Sequence, residues 1–444
     1  MNLTLDPRET EESSMADDAS KIFDAARAEA YSTPLDKLDV SVQDRFVTNT
    51  FWPFFERLRR EDPVHYCAES EFGPYWSISK FDDIIGIETN HQVFSSERAI
   101  SIYDPTEGDM ELPMFIAMDP PKHDAQRKVI QPIVSSDNLT NFAPLIRSRA
   151  AKILDELPIG EPFDWVNRVS IELTTQMLAT LFDFPFEERR KLTYWSDLTT
   201  TDTRDPANYT ESIIDQFGDR AMTEEEGRAE LMACAFYFKN LWDQRVDSEG
   251  KDLISLLAHG EATKDMPLME FLGNILLLIV GGNDTTRNSI SGGLVALTQN
   301  PDQMAKVRAN PALIESMVPE IIRWQTPVAH MRRTAKADFE FGGKTIKAGE
   351  KVVLWYVSGN RDETAIDNPE AFIVDRERPR HHVSFGFGIH RCVGMRLAEM
   401  QLKIVWEEIL KRFPRIEVVE EPTRLKSCFL RAYRAMPVQI PARA

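Results

Sequence analysis

Hydrophobic positions recur at helical spacing along most of the chain, and with a two-residue period in a few short runs. Val64 to Cys67 and Tyr75 to Ile78 read as strands, and Glu71-Phe72-Gly73-Pro74 supplies the turn of a hairpin between them. From about Lys128 to Leu257 the pattern is nearly all helical, punctuated at Asp183, at Pro185 and over Asp202 to Pro206. The longest helical pattern runs from Leu268 to Asn300 between Pro267 and Pro301. Its 33 residues span about 50 Å at 1.5 Å per residue, enough to cross a whole domain. A further helix is expected over about Pro311 to Gln325. Short strands follow at Phe339 to Phe341, Lys344 to Ile346 and Lys351 to Tyr356, with turns at Gly342-Gly343 and Ala348-Gly349. A last strong helix is expected from near Val393, and a strand pair around Phe429 and Val438. Residues 1–20 are acidic and bear Ser and Thr, which predicts a mobile tail. With no linker or repeat after that, 21–444 reads as one mostly helical domain with small β-sheets.

Composition narrows the function more than the fold. Of 444 residues, 42% are hydrophobic and 28% charged, as in ordinary globular proteins, so collagen-like, coiled-coil and disordered classes are excluded. Acids outnumber bases 71 to 52, for a net charge of −19, which argues against general nucleic-acid binding. Four cysteines, Cys67, Cys234, Cys392 and Cys428, show no close pairing and no CxxC, so a reduced cytoplasmic setting is expected. The start of the chain has no signal-peptide pattern. The most apolar stretch, Phe271 to Asn283, has 13 uncharged residues, short of the roughly 20 that span a bilayer.

Four motifs carry chemistry. Phe385-Gly386-Phe387-Gly388-Ile389-His390-Arg391-Cys392-Val393-Gly394 sets aromatics among glycines and ends on a cysteine that opens a helix. Glycines let the backbone approach a flat cofactor, and free N–H groups can hydrogen-bond sulfur. The helix N-terminus, with Arg391 alongside, is expected to lower the thiol pKa. In the longest helix, Gly281-Gly282-Asn283-Asp284-Thr285-Thr286 gathers poor helix formers after the apolar run Ile275 to Val280, so a local distortion is expected. Asp284 beside Thr285 suits proton relay; the plainer reading is a solvated polar face. Glu320-Ile321-Ile322-Arg323 alone reads as a surface ion pair. After Asp119-Pro120-Pro121-Lys122 starts a helix, His123 and Arg127 share one face and suit an anion, unless that face is merely solvated.

Together, in this order and spacing, these motifs resemble the cytochrome P-450 superfamily from about Phe51 to Pro441. Cys392 stands 72 residues after Glu320 and 108 after Asp284, as in that family. The resemblance implies a mainly α fold with small β-sheets, a single large domain whose long central helix lies over a haem. It implies Cys392 as proximal thiolate ligand of the iron in haem b, donating electron density that favours O–O cleavage. Asp284 and Thr285 match the acid–alcohol pair that delivers protons for oxygen activation. Glu320 and Arg323 match a buried pair bracing the core, with either Arg376 or Arg378 as third member. His123, Arg127, Arg333 and His390 match positions that hold the haem propionates, and Phe385 opens the cofactor-binding loop.

Gly281 to Ser289, His330-Met331-Arg332-Arg333-Thr334 and Phe385 to Cys392 further resemble the bacterial soluble alkane and fatty-acid terminal hydroxylases. That implies terminal hydroxylation of medium-chain alkanes or fatty acids by O2, with electrons from NAD(P)H through a ferredoxin reductase and ferredoxin. It implies substrate contacts at Leu277, Val280, Gly281, Val328, Phe429 and Leu430, with Ile100 to Phe115 as another wall. Competing readings are a terpene or steroid monooxygenase and a peroxide-driven fatty-acid hydroxylase or decarboxylase, which typically lacks such an acid–alcohol pair. A haem-based sensor would usually carry an output domain.

Overall fold

The computed structural model describes residues 7–105 and 110–444, and side chains from residue 20 onward. Of the expected N-terminal tail, residues 1–6 lie outside the described residues, and the remainder begins helix α1 (Pro7–Ser32). The expected hairpin forms from β1 (Val64–Cys67) and β2 (Tyr75–Ile78), antiparallel with Val64 opposite Ile78 and Cys67 opposite Tyr75. These strands join β3 (Phe94–Ser95), β4 (Met331–Ala335) and β5 (Lys351–Leu354) in one sheet of order β1-β2-β5-β4-β3. Only the β2–β5 pairing in it is parallel. Strand β5 stops at Leu354, two residues before the expected end, because Tyr356 starts a helical turn.

The helices form the larger part of the molecule. In chain order those that shape the site are α2 (Phe81–Thr89), α3 (Lys122–Ile130), α4 (Ser136–Asp155), α5 (Glu172–Phe182) and α6 (Arg190–Thr200). There follow α7 (Leu268–Gln299), α8 (Ile314–Gln325) and α9 (Met395–Arg412). The punctuation read from the sequence is real: α5 ends where Asp183 adopts φ 47°, and Pro206 opens a separate short turn. Extended Pro267 precedes α7, and Asn300 with Pro301 ends it.

Helix α7 is buried along most of its 32 residues and serves as the axis of the fold. Gly292 and Gly293 let α8 lie close against it. A Cβ at Gly292 would sit 2.3 Å from the Gln325 side chain, and one at Gly293 2.9 Å from Ile321. The distortion expected at Gly281–Thr286 does not occur, and the helix is unbroken there. Three of the polar side chains here form hydrogen bonds without interrupting the helix. Thr285 Oγ1 donates to the Gly281 carbonyl at 2.8 Å, Asn288 Nδ2 to that of Asp284 at 2.7 Å, and Asn283 accepts from Thr174 on α5 at 2.7 Å.

The Glu320–Arg323 pair is a core element, not a surface one. Arg323 donates to both Glu320 carboxylate oxygens at 2.7 and 2.8 Å and caps the carbonyls of Asn360, Pro369 and Ala371. Arg376 supplies the third member, at 2.9 and 3.2 Å from the same carboxylate, which settles the choice between Arg376 and Arg378. Burial opposes ionisation of Glu320, yet the two guanidiniums hold its pKa below the ordinary value.

The C-terminal pairing differs from expectation. Val438 pairs with Phe163 on one side and Val418 on the other, within a separate three-stranded sheet. Phe429 is in no strand, and its neighbour Leu430 makes a single bridge to Val328. Phe163 and Val328 lie far from their partners in sequence, so no local pattern could assign those pairings.

Candidate active site

The cysteine loop is built on two glycines that take positive φ, 64° at Gly386 and 65° at Gly388, and the Cys392 N–H closes it onto the Phe385 carbonyl at 2.8 Å. A Cβ at Gly388 would lie 2.4 Å from the Glu88 carbonyl, so the loop sits directly against the end of α2. Cys392 is exposed, but the space it faces is an internal cavity. Burial therefore raises its thiol pKa, against the lowering pull of the Gly394 N–H, Arg127, the Met395 N–H and Arg391. The low pKa expected from the sequence is thus not produced by the protein alone. Desolvation exceeds the helix terminus and the two cations.

The cavity measures about 830 Å³. All six expected substrate contacts line it: Leu277, Val280 and Gly281 on α7, and Val328, Phe429 and Leu430 opposite. The expected wall is present through Ile100, Ser101, Leu112, Met114 and Phe115, while 106–109 lie outside the described residues. Polar ties hold that wall. Ile102 N–H donates to His330 Nε2 at 3.0 Å, and Lys351 reaches the Ile102 carbonyl at 2.9 Å and Asp104 at 2.6 Å. Leu178 and Leu181 of α5 also face the cavity; in the sequence they are ordinary helical core positions.

The acid and the alcohol separate around α7, since adjacent helical residues point about 100° apart. Thr285 lines the cavity. Asp284 is fully buried on the other side, 2.7 Å from Arg287 and accepting from Ser196 of α6 at 3.0 Å. Arg287 also donates to Asp197 at 2.8 Å. Burial raises the Asp284 pKa to about 6, with Asp197 adding to the rise and Arg287 and Ser196 opposing it. The solvated face offered as the plainer reading is therefore wrong for Asp284, and the group titrates much closer to neutrality than an ordinary carboxyl.

Beside the cysteine, Arg127, Arg333, His390 and Phe385 line the cavity. His123 does not; it is buried behind His390, with ring centroids 4.2 Å apart, and bonds Asp124 through Nδ1. Burial lowers the pKa of both imidazoles. His123 Nε2 and both ring nitrogens of His390 have no hydrogen-bond partner among the described residues. Unsatisfied donors next to two guanidiniums, with a thiol facing the same space, fit a flat iron-bearing cofactor with carboxylate arms.

Glu88 is the functional residue that the sequence reading missed. It is buried at the same end of the cavity and accepts from Phe387 N–H at 2.6 Å, Arg333 Nη2 at 3.2 Å and the Tyr356 hydroxyl. It therefore ties the cysteine loop to a cation of the cradle. A carboxylate in the last turn of α2 opposes the helix dipole, and that misplacement was the available signal.

Comparisons with known proteins agree with this geometry. A model of the cytochrome P450 family matches residues 89–430. Linalool 8-monooxygenase of Pseudomonas putida is 35% identical over 417 residues, covering 91% of this chain and 99% of that protein. A methyl-branched lipid omega-hydroxylase of Mycobacterium tuberculosis is 29% identical, covering 86% of this chain and 90% of its own. The solved structure of CYP153D17 from Sphingomonas sp. PAMC 26605 is 46% identical with a TM-score of 0.83, over 92% of this chain and 100% of that one. Because the matched span takes in the long helix, the Glu320–Arg323 core and the cysteine loop, this chain belongs to the cytochrome P450 family and is one of its haem-thiolate monooxygenases.

Proposed function

We propose that this enzyme hydroxylates the terminal carbon of linear or methyl-branched apolar chains, with medium-chain alkanes and fatty acids as first candidates. The observation that carries the reading is a single cavity running from exposed residues such as Tyr103 to Cys392 and Thr285, with largely aliphatic walls between. The relative named for omega-hydroxylation supports the position of attack. The terpene reading is favoured by one finding, the 35% identity to linalool 8-monooxygenase. The catalytic unit in this reading is 21–444. Its four free cysteines support the expected cytoplasmic setting.

Haem b, held through Cys392, supplies activation of O2 and insertion of one oxygen atom into a C–H bond, the other oxygen leaving as water. Arg127, Arg333 and His390 would hold its carboxylates, with the buried, unpartnered Nε2 of His123 as a further donor beside His390. Two electrons arrive from NAD(P)H by way of a ferredoxin reductase and ferredoxin, and two protons accompany them. Asp284, an ion-paired carboxyl whose raised pKa lets it take up and release a proton near neutrality, sits on the α6 side of α7, and Thr285 presents a hydroxyl on the cavity side. The pair spans the helix from a buried polar cluster to the reaction space. A secondary C–H bond is weaker than a primary one, so the walls must override chemical preference by position. Leu277, Val280, Val328 and Leu430 present only the chain end. The enzyme reconstituted with ferredoxin and reductase should convert a medium-chain alkane and a fatty acid chiefly to terminal alcohols, read by gas chromatography. Chiefly in-chain alcohols would reject the reading.

A further inference from the structure

We propose that the mouth of the cavity selects neutral chains over carboxylates, so that hydrocarbons, alcohols or esters are taken in preference to fatty-acid anions. This rests on the terminal-hydroxylation reading and names the substrate class within it. The outer end of the cavity is lined by the exposed side chains of Glu71, Tyr103, Asp202, Arg204, Asp205 and Lys426. A carboxylate would need a cation here, and among the described residues of this rim the cations are Arg204 and Lys426. Both are already matched. Arg204 grips Asp202 with two hydrogen bonds, Nε to Oδ1 at 2.8 Å and Nη2 to Oδ2 at 2.9 Å. Lys426 Nζ lies 2.9 Å from Asp44. Exposed pairs of this kind are weak and could exchange partners. What matters is the excess: Glu71, Asp202 and Asp205 at the rim and Asp44 beside Lys426 face Arg204, Lys426 and, near Asp205, Arg434, so an arriving anion still meets net negative charge. The other cations lining the cavity, Arg127 and Arg333, lie at the cysteine end.

Just inside the rim the chemistry is neutral. Thr201 lines the cavity and is 9% exposed, and its hydroxyl is buried without a hydrogen-bond partner among the described residues. A hydroxyl can donate to an ester or alcohol oxygen and accept from an alcohol, which gives a neutral polar end a place to rest. The mouth therefore repels charge while Thr201 offers a neutral contact.

The test uses the haem-loaded enzyme and reads substrate binding as the shift of iron spin state. A medium-chain fatty acid, its methyl ester and the alkane and primary alcohol of similar length are titrated at pH 8, at about 10 mM and about 1 M salt. Screening shortens from roughly 30 Å to roughly 3 Å between those conditions. The ester-to-acid affinity ratio should fall by about three- to tenfold from low to high salt. Replacing both rim carboxylates, Glu71→Gln with Asp202→Asn, should lower the low-salt ratio by a similar factor. A ratio indifferent to salt and to this double substitution overturns the proposal, as does an acid that binds as tightly as its ester at low salt. If no chain of any kind shifts the spin state, the terminal-hydroxylation reading fails as well, a result distinct from equal binding of acid and ester.

Discussion

Thr285 turns its hydroxyl onto the Gly281 carbonyl at the cavity wall, while Asp284 sits behind the same helix turn with Arg287 and Ser196. The two residues should therefore fail differently. Thr285→Ala should still bind substrate and consume oxygen, but less product should form per NAD(P)H, because the proton donor at the wall is lost. Asp284→Asn should slow oxygen consumption itself. Unchanged coupling in Thr285→Ala would remove the alcohol from the mechanism. A third residue acts through structure alone. Burial brings the His330 pKa down to about 3, so the ring is neutral and joins Ile102 N–H to the Cys428 carbonyl. His330→Phe should cost roughly 1–3 kcal/mol for each group left unpaired, measured by urea denaturation at pH 7, and should weaken substrate binding through a looser wall. Because its folded pKa lies below the unfolded value of about 6.5, the stability it contributes is present above that pH. It is lost as pH falls towards 3.

At the scale of elements, α4 and α9 are joined by a charge cluster centred on Glu408. Burial opposes its ionisation, but Lys411, Arg147 and Arg412, at 2.7, 2.6 and 2.5 Å, bring its pKa down to about 2. Glu408→Gln should destabilise the protein by roughly 1–3 kcal/mol at pH 7, discounted because the cations are partly exposed. A depressed carboxyl contributes above its unfolded pKa of about 4.5 and loses that contribution as pH falls towards 2. The gap between variant and wild type should therefore narrow between pH 5 and pH 3 in denaturation series, and a constant gap would exclude the ion pairs as its cause. Elements whose signals are local were legible in the sequence: the β1–β2 hairpin, the proline-bounded α7 and the C-terminal end of α5. The unbroken course of α7 through Gly281–Thr286 was not, because the hydroxyls that bond Asn283 and Asp284, those of Thr174 and Ser196, sit on α5 and α6. The pairing of Val438 with Phe163 and Val418 escaped for the same reason.

For the whole molecule, the fold brings residues from β4, α3, α7, the cysteine loop and the C-terminal turn around one cavity. The chemistry-bearing residues were readable because each motif is short and contiguous. Their relations were not: the sequence could not decide Arg376 over Arg378, put His123 behind His390, or reveal Glu88 under the cysteine loop. The account holds that aliphatic walls, not bond strength, decide where oxygen enters. Leu430 is buried at the cavity wall and held by its bridge to Val328. Truncating it should admit bent poses, with a loss of positional selectivity of roughly 1–3 kcal/mol at most. The most direct measurement is the ratio of terminal to subterminal alcohol formed from one medium-chain alkane by wild type and by Leu430→Ala. The account predicts mainly terminal alcohol from the wild type and a larger subterminal share from the variant. A wild type that hydroxylates mainly in-chain, or a variant whose ratio does not move, would contradict it.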